Sequence, residues 1–405
     1  MQPHQPTPPI IRQLTTISLI SALACGGADY VTHAATRDSA GVVIVESRQP
    51  QWQPGEGWRL SAQPLLQIGT TDGPAELQFH RVEGAIRLDD GRIVVADAGS
   101  GEIRFYNETG RFLLATGGLG DAPGEYRQIT GLGTGPGDSI WAYDFGLRRF
   151  TVLTGDGEPV RTVSVGGTLS SVGAVGTLPD GSFVVKESWS SHLHDNTRQR
   201  LVRDPVAVAR LSSDGTELDT IAMVAGREVF LSTEDGRAVM SAPLFARTSS
   251  AAMGNETVFV GDQEAFEVLR YSPAGVLQQI MRVPDADLQL TTGDVQQLKE
   301  TLFAREPEQR RVMMRDHLEE MAVPPTRPAY GSLIVDALGN LWAGEYARYP
   351  AVPRTWTVFT ATGELLGEVI VPERFKVLQV GHDWILGVGQ DELDVEYVRV
   401  HWLVK

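Results

Sequence analysis

One phrase recurs along this chain, and recurrence at a fixed spacing limits the fold more than any other feature. Ile86 to Gly117 reads IRLDDGRIVVADAGSGEIRFYNETGRFLLATG, short apolar runs divided by Asp-Gly and Glu-Thr-Gly turns. Runs of this kind between such turns are hairpin signals. The phrase returns five times: Thr134 to Val165, Gly176 to Val224, Ala251 to Val283, Leu333 to Val371 and Lys376 to Lys405. Two offsets hold across the copies. Gly91 to Asp97, Gly181 to Glu187 and Gly339 to Glu345 are each six residues, as are Asp97 to Ile103, Asp144 to Phe150 and Asp262 to Val268.

Four-stranded units repeated this way predict an all-β chain, a six-bladed β-propeller whose radial packing leaves only short free edges. The acid closing each second strand counts the blades: Asp97, Asp144, Glu187, Asp262, Glu345 and Asp391. The expected blades span about 81–118, 128–165, 171–226, 245–284, 329–372 and 375–405. The last copy stops after its third strand. Leu65 to Phe79 matches Leu113 to Arg127 in its paired leucines, Gly, Asp, Pro and Glu. Residues 58–70, with Pro64 to Ile68 as the strand, are therefore expected to complete the last blade beside Val395 to Leu403.

The N-terminus reads as an export signal. Leu14 to Ala24 is an apolar run of 11 residues, too short for a bilayer span of ~20 but suited to a signal-peptide core. It ends at Ala22-Leu23-Ala24-Cys25-Gly26, and Cys25 is the chain's one cysteine. The segment resembles a bacterial lipobox. That resemblance implies a signal peptide of 1–24, lipid on Cys25 and a linker of 25–40. It also implies a location on the periplasmic side or the cell surface, with Gly26 favouring the outer membrane. One cysteine excludes an internal disulfide. The net charge of −16 argues against nucleic acid as a partner, because phosphates need a basic surface.

Gly91, Val94-Val95, Asp97, Ile103 and Tyr106 resemble the NHL repeat, with Glu102 where that repeat is basic; Arg149 restores the basic residue in the second copy. Lipobox and repeats together resemble the six-bladed, NHL-like propeller lipoproteins of bacteria, of the TolB-like propeller class, over about 41–405. The resemblance implies the fold and leaves the activity open.

In such a fold the loops joining first to second and third to fourth strands share one face, which is short-turned throughout this sequence. The opposite face takes every long connection: 187–204, 226–247, 284–328 and 345–354. Loops beyond ~12–15 residues are uncommon unless they are functional or disordered. Within 285–328, Thr291 with Asp294 resembles a capping box, and Val295, Leu298 and Leu302 share a helical side, so a helical insertion is expected. The long-loop face is the expected binding surface for a protein or small ligand, with Trp189, His192, His194, Arg198, Arg227, Tyr346, Arg348 and Tyr349 as candidates. A monomer tethered to the membrane by its lipid, with no cofactor and no catalysis, is the leading expectation.

The alternative is a metal-dependent hydrolase or lyase, lactonase-like, centred on the channel and using calcium or zinc. His192 and His194 point the same way on an extended segment, with Asp195 beside them, and suit one transition metal. The blade-equivalent acids are expected to hold turn N–H groups rather than metal. No catalytic nucleophile with its base stands out.

Overall fold

The computed structural model describes His33 to Lys405, apart from residues 167, 168, 170, 189–199, 235, 236, 306, 309–314, 316, 317, 320, 322 and 348–350. The chain divides after Thr32, and the second unit runs from His33 to Lys405. Cys25, the signal segment, Trp189, His192, His194, Asp195, Arg198, Arg348 and Tyr349 lie outside the described residues.

Among the described residues, six sheets each contain four antiparallel strands. Sheet 1 is Val82–Arg87, Ile93–Asp97, Glu102–Tyr106 and Phe112–Gly117; sheet 2 runs from Ile129 to Ser164 and sheet 3 from Val172 to Ala225. Sheets 4 and 5 run from Ser250 to Arg282 and from Leu333 to Ile370. Sheet 6 takes Phe375–Val380, Trp384–Gln390 and Glu396–Val404 from the C-terminus, and Leu66–Ile68 from the N-terminal region. In that last pairing Ile68 lies opposite Val398, and Leu66 opposite Val400.

The second strands are buried on both sides, which explains why they read as unbroken apolar runs. Ile93 and Val95 pack against Leu386 and Val388 of sheet 6, while Val94 and Ala96 turn to Ile129 and Ala142 of sheet 2. Such a core lies at every junction of consecutive sheets, including the one between sheets 6 and 1. Each fully buried Val or Ile contributes roughly 1.5–3 kcal/mol. The first strands touch their neighbours closely; a Cβ on Gly84 would stand 2.7 Å from the Leu132 Cβ.

The short turns share one construction. In eight of them a glycine N–H closes back to the carbonyl three residues earlier, as Gly91 does to Leu88 and Gly215 to Ser212. These glycines hold φ between 78° and 91°, a region costly for residues with a Cβ. The repeated glycine of the sequence is thus a backbone requirement.

Two segments differ from the sequence reading. The expected linker 25–40 contains the strand Ala34–Ser39, which pairs with Val42–Ser47. That second strand lies parallel to Leu277–Arg282 and widens sheet 4 to six strands. The connection 226–247 is no irregular loop either: Val229–Glu234 and Arg237–Ser241 join Arg200–Val202 in a separate three-stranded sheet.

Candidate functional site

The blade-equivalent acids accept hydrogen bonds from backbone N–H groups of their own turns and of adjoining segments. Asp144 takes the N–H groups of Arg127 (2.6 Å) and Leu147 (2.8 Å). Asp97 takes that of Gly99 (3.1 Å) and pairs with Arg104 at 3.2 Å. Glu187 accepts from Ala207, Glu345 from Arg354 and Thr355, and Asp391 from Leu393 and Val395. The fourth copy splits the task between two residues. Asp262, half-exposed beside Arg203 at 3.9 Å, takes the Glu264 N–H of its own turn (3.0 Å), and the next residue, Gln263, takes the N–H of the neighbouring segment. The Gln263 amide is 1% exposed; it accepts from the Thr248 N–H and donates to Ser250 Oγ and the Gly331 carbonyl. Its φ of 66° puts one extra residue between strand and turn, which moves the polar group on by one place.

Between the first strands lies a cavity of about 400 Å³, lined chiefly by small and apolar residues such as Gly84, Ala85, Gly131, Ala174, Gly176 and Met253. Its polar side chains are already engaged. Thr177 Oγ1 and Trp141 Nε1 both donate to the Thr134 carbonyl, Gln379 accepts from the Arg87 N–H, and Glu83 stands 3.6 Å from Lys376. Among the described residues, no group of three His, Cys, Asp or Glu side chains comes together. The donor set of a channel metal is therefore not assembled by these residues.

The long connections are where the structure adds mass. Helix α1 (Thr292–Arg305) starts at a reciprocal cap: Thr291 N–H to Asp294 Oδ2 at 2.8 Å, and Asp294 N–H to Thr291 Oγ1 at 3.1 Å. Its Val295, Leu298 and Leu302 pack onto Leu244 and Phe245 from the connection between sheets 3 and 4, and onto Leu318. Tyr346, read from the sequence as an exposed candidate, belongs to this satellite core. It is half-buried with its ring 5.9 Å from that of Phe245. Arg227 is exposed. Beneath lies a buried ion pair. Arg247 Nη1 meets Glu228 Oε1 at 3.1 Å, the Arg247 N–H meets Oε2 at 2.9 Å, and Nη2 reaches Thr326 Oγ1 at 2.7 Å. This network ties the far end of the helical insertion to the connection between sheets 3 and 4.

One group was not singled out from the sequence. Lys186, on the second strand of sheet 3, is largely buried and donates to Ser249 Oγ (3.2 Å) and the Glu187 carbonyl (3.3 Å). Burial pushes its pKa down to about 8, against the opposing field of Glu187. The signal was available: residues one before the closing acid in the other copies are Ala96, Tyr143, Gly261, Gly344 and Gln390, all uncharged, and here the place holds a cation.

No protein-family profile matches the sequence, and no curated protein matches it. Solved structures do. A member of the DUF4221 family from Bacteroides vulgatus superposes with a TM-score of 0.53 at 9% identity, covering 85% of this chain and 98% of that one. A protein from Bacteroides fragilis described as exported reaches 0.51 at 11% identity, over 89% of this chain and 100% of that one. A gluconolactonase from Xanthomonas campestris covers 85% of this chain at 13% identity, but its TM-score of 0.43 gives it no bearing on chemistry here. At these identities the likeness speaks for the architecture alone: the chain is an all-β, propeller-like protein.

Proposed function

We propose that this chain is an exported six-bladed β-propeller, anchored by lipid at Cys25, that serves as a binding module through its long-loop face. Support for six blades comes from the six junction cores and from the strand Leu66–Ile68 lying beside Val398–Val400, which closes sheet 6 next to sheet 1. Export and lipid rest on the apolar run and the small residues ahead of Cys25. Gly26 in the following place favours the outer membrane. The intact mass of membrane-extracted protein tests the anchor; an unmodified, soluble wild-type form would overturn it.

The observation that carries the binding reading is asymmetry. One set of connections is tight glycine turns; the other carries the three-stranded sheet and helix α1 with its own small core, latched by Glu228, Arg247 and Thr326. Rigid scaffolds present recognition through loops, and aromatic and Arg side chains dominate binding energy. Partner capture from envelope extracts tests the face. Trp189→Ala, Arg227→Ala or Tyr349→Ala should each weaken it by about tenfold or more with little change in melting temperature. Glu108→Ala and Glu158→Ala, on the short-turn face, should leave it unchanged.

A further inference from the structure

The chain has 31 arginines and four lysines: Lys186, Lys299, Lys376 and Lys405. Lys186 alone among them stands in a second strand, where its counterparts in the other sheets, Ala96, Tyr143, Gly261, Gly344 and Gln390, are uncharged. Residues directly opposite in an antiparallel pair project to the same side. Lys186 lies opposite Gly173 on one neighbour strand and Val208 on the other. Val208 is fully buried and walls off one flank. Gly173 does the reverse, since a Cβ built on it would meet nothing within 4 Å. The missing side chain thus leaves an opening beside the lysine. At the tip, Ser249 Oγ and the Glu187 carbonyl fix the nitrogen.

We propose that Lys186 is an amine nucleophile that captures a small aldehyde or ketone as an imine, entering through the gap at Gly173, with the Ser249 hydroxyl holding the amine. The Nζ lone pair forms the C–N bond as the carbonyl π pair moves to oxygen, which takes up the proton released by nitrogen. The carbinolamine then loses hydroxide with a second proton as water, leaving C=N. One water leaves and no oxidant or reductant is required.

The electrostatics favour the free amine. Strand Val172–Thr177 brings no charge to the lysine, and the charge on Pro205–Leu211, Arg210, is engaged at the other end by Asp180 and Ser182. From the segment entering sheet 4 it meets Ser249, while Arg247 is held by Glu228. Glu187, on its own strand, is the charge among the described residues that raises its proton affinity, and burial outweighs it. With a pKa near 8, roughly a quarter of the amines are neutral at pH 7.5, against about one in a thousand for an ordinary lysine. The inference stands apart from the lipid anchor and the partner on the loop face, and its test needs neither.

The test treats the full chain with propionaldehyde and sodium cyanoborohydride, then maps propylated lysines by peptide mass. Lys186 should be modified at least about tenfold faster than Lys299, Lys376 and Lys405 at pH 7.5, with a rate that climbs through pH 8. Gly173→Val should close the opening and abolish labelling at Lys186, leaving the other three unchanged and the melting curve intact. Ser249→Ala should slow capture several-fold. Labelling of Lys186 no faster than the other three would overturn the proposal, and so would wild-type labelling of a folded Gly173→Val variant.

Discussion

Replacing Arg247 by alanine should leave a buried carboxylate without its counter-charge. The Glu228 side chain is 3% exposed and that of Arg247 9%, so water replaces little of what is lost. In the variant Glu228 keeps the backbone N–H of residue 247, at 2.9 Å in the wild type, and loses Nη1 at 3.1 Å. Breaking a buried pair from one side costs about 3–5 kcal/mol. Thr326 also loses its donor at 2.7 Å, a neutral-partner loss of about 1 kcal/mol. Removing both charges, as Glu228→Leu with Arg247→Met, should cost far less, because two desolvation penalties vanish together. Urea unfolding followed by tryptophan fluorescence at pH 7 measures all three proteins. The expected order is a loss of about 4 kcal/mol for Arg247→Ala and about 1 kcal/mol for the double variant. A single-variant loss under about 1 kcal/mol, or a double variant as unstable as the single, would refute a latch built on a desolvated ion pair.

Gly215→Ala places a Cβ 2.6 Å from the Ser164 carbonyl at φ +79°, whereas Gly55→Ala, at φ +88°, meets open space. The first should cost at least about 2 kcal/mol and the second about 1 kcal/mol in urea unfolding; equal losses would remove the close approach as the cause. A chain beginning after Gly69 lacks the partner of Val398–Val400 and should elute as aggregates in size-exclusion chromatography. A monomeric product of wild-type stability would contradict the proposed closure of the last blade by Leu66–Ile68. Lys186→Met should stabilise the fold by up to about 3 kcal/mol at pH 7, because the folded state holds the lysine's pKa near 8 against a usual 10.5. Between those values the unfolded wild-type chain binds more protons than the folded one. Wild-type stability therefore rises with pH across that window, and the variant's advantage should fade by pH 10.5; an advantage constant from pH 7 to 10.5 would contradict burial as the source.

The repeat was legible because the copies share two devices: in five of the six a glycine at positive φ closes a short turn, and a polar side chain holds the opposite one. Both leave single-residue marks, so Gly91 and Asp97 could be counted. At Gly-Asp-Gln-Glu the marks divide: Asp262 holds the Glu264 N–H of its turn, and Gln263 holds the Thr248 N–H. The strand Ala34–Ser39 left no such mark. It is AATRDS, five of its six residues are exposed, and the hairpin's partner in sheet 4 lies more than 200 residues away. Helix α1 was readable from its cap and its period, both local. Tyr346 was not, since its partner Phe245 comes from a different connection and only the tertiary structure brings the rings together. Lys186 was legible in principle: a cation in an apolar strand is a local anomaly. Its significance depended on Gly173 and Ser249, which register and packing place beside it.

The assignment of the loop face is tested most directly by hydroxyl-radical footprinting of the protein in native envelopes against the purified chain, read residue by residue. Protection should appear at Trp189, Arg227 and Tyr349, while the short turns carrying Glu108, Glu158 and Asp214 keep their purified-state reactivity. Protection centred on those turns, or no protection on the loop face, would contradict a module that binds through its long connections.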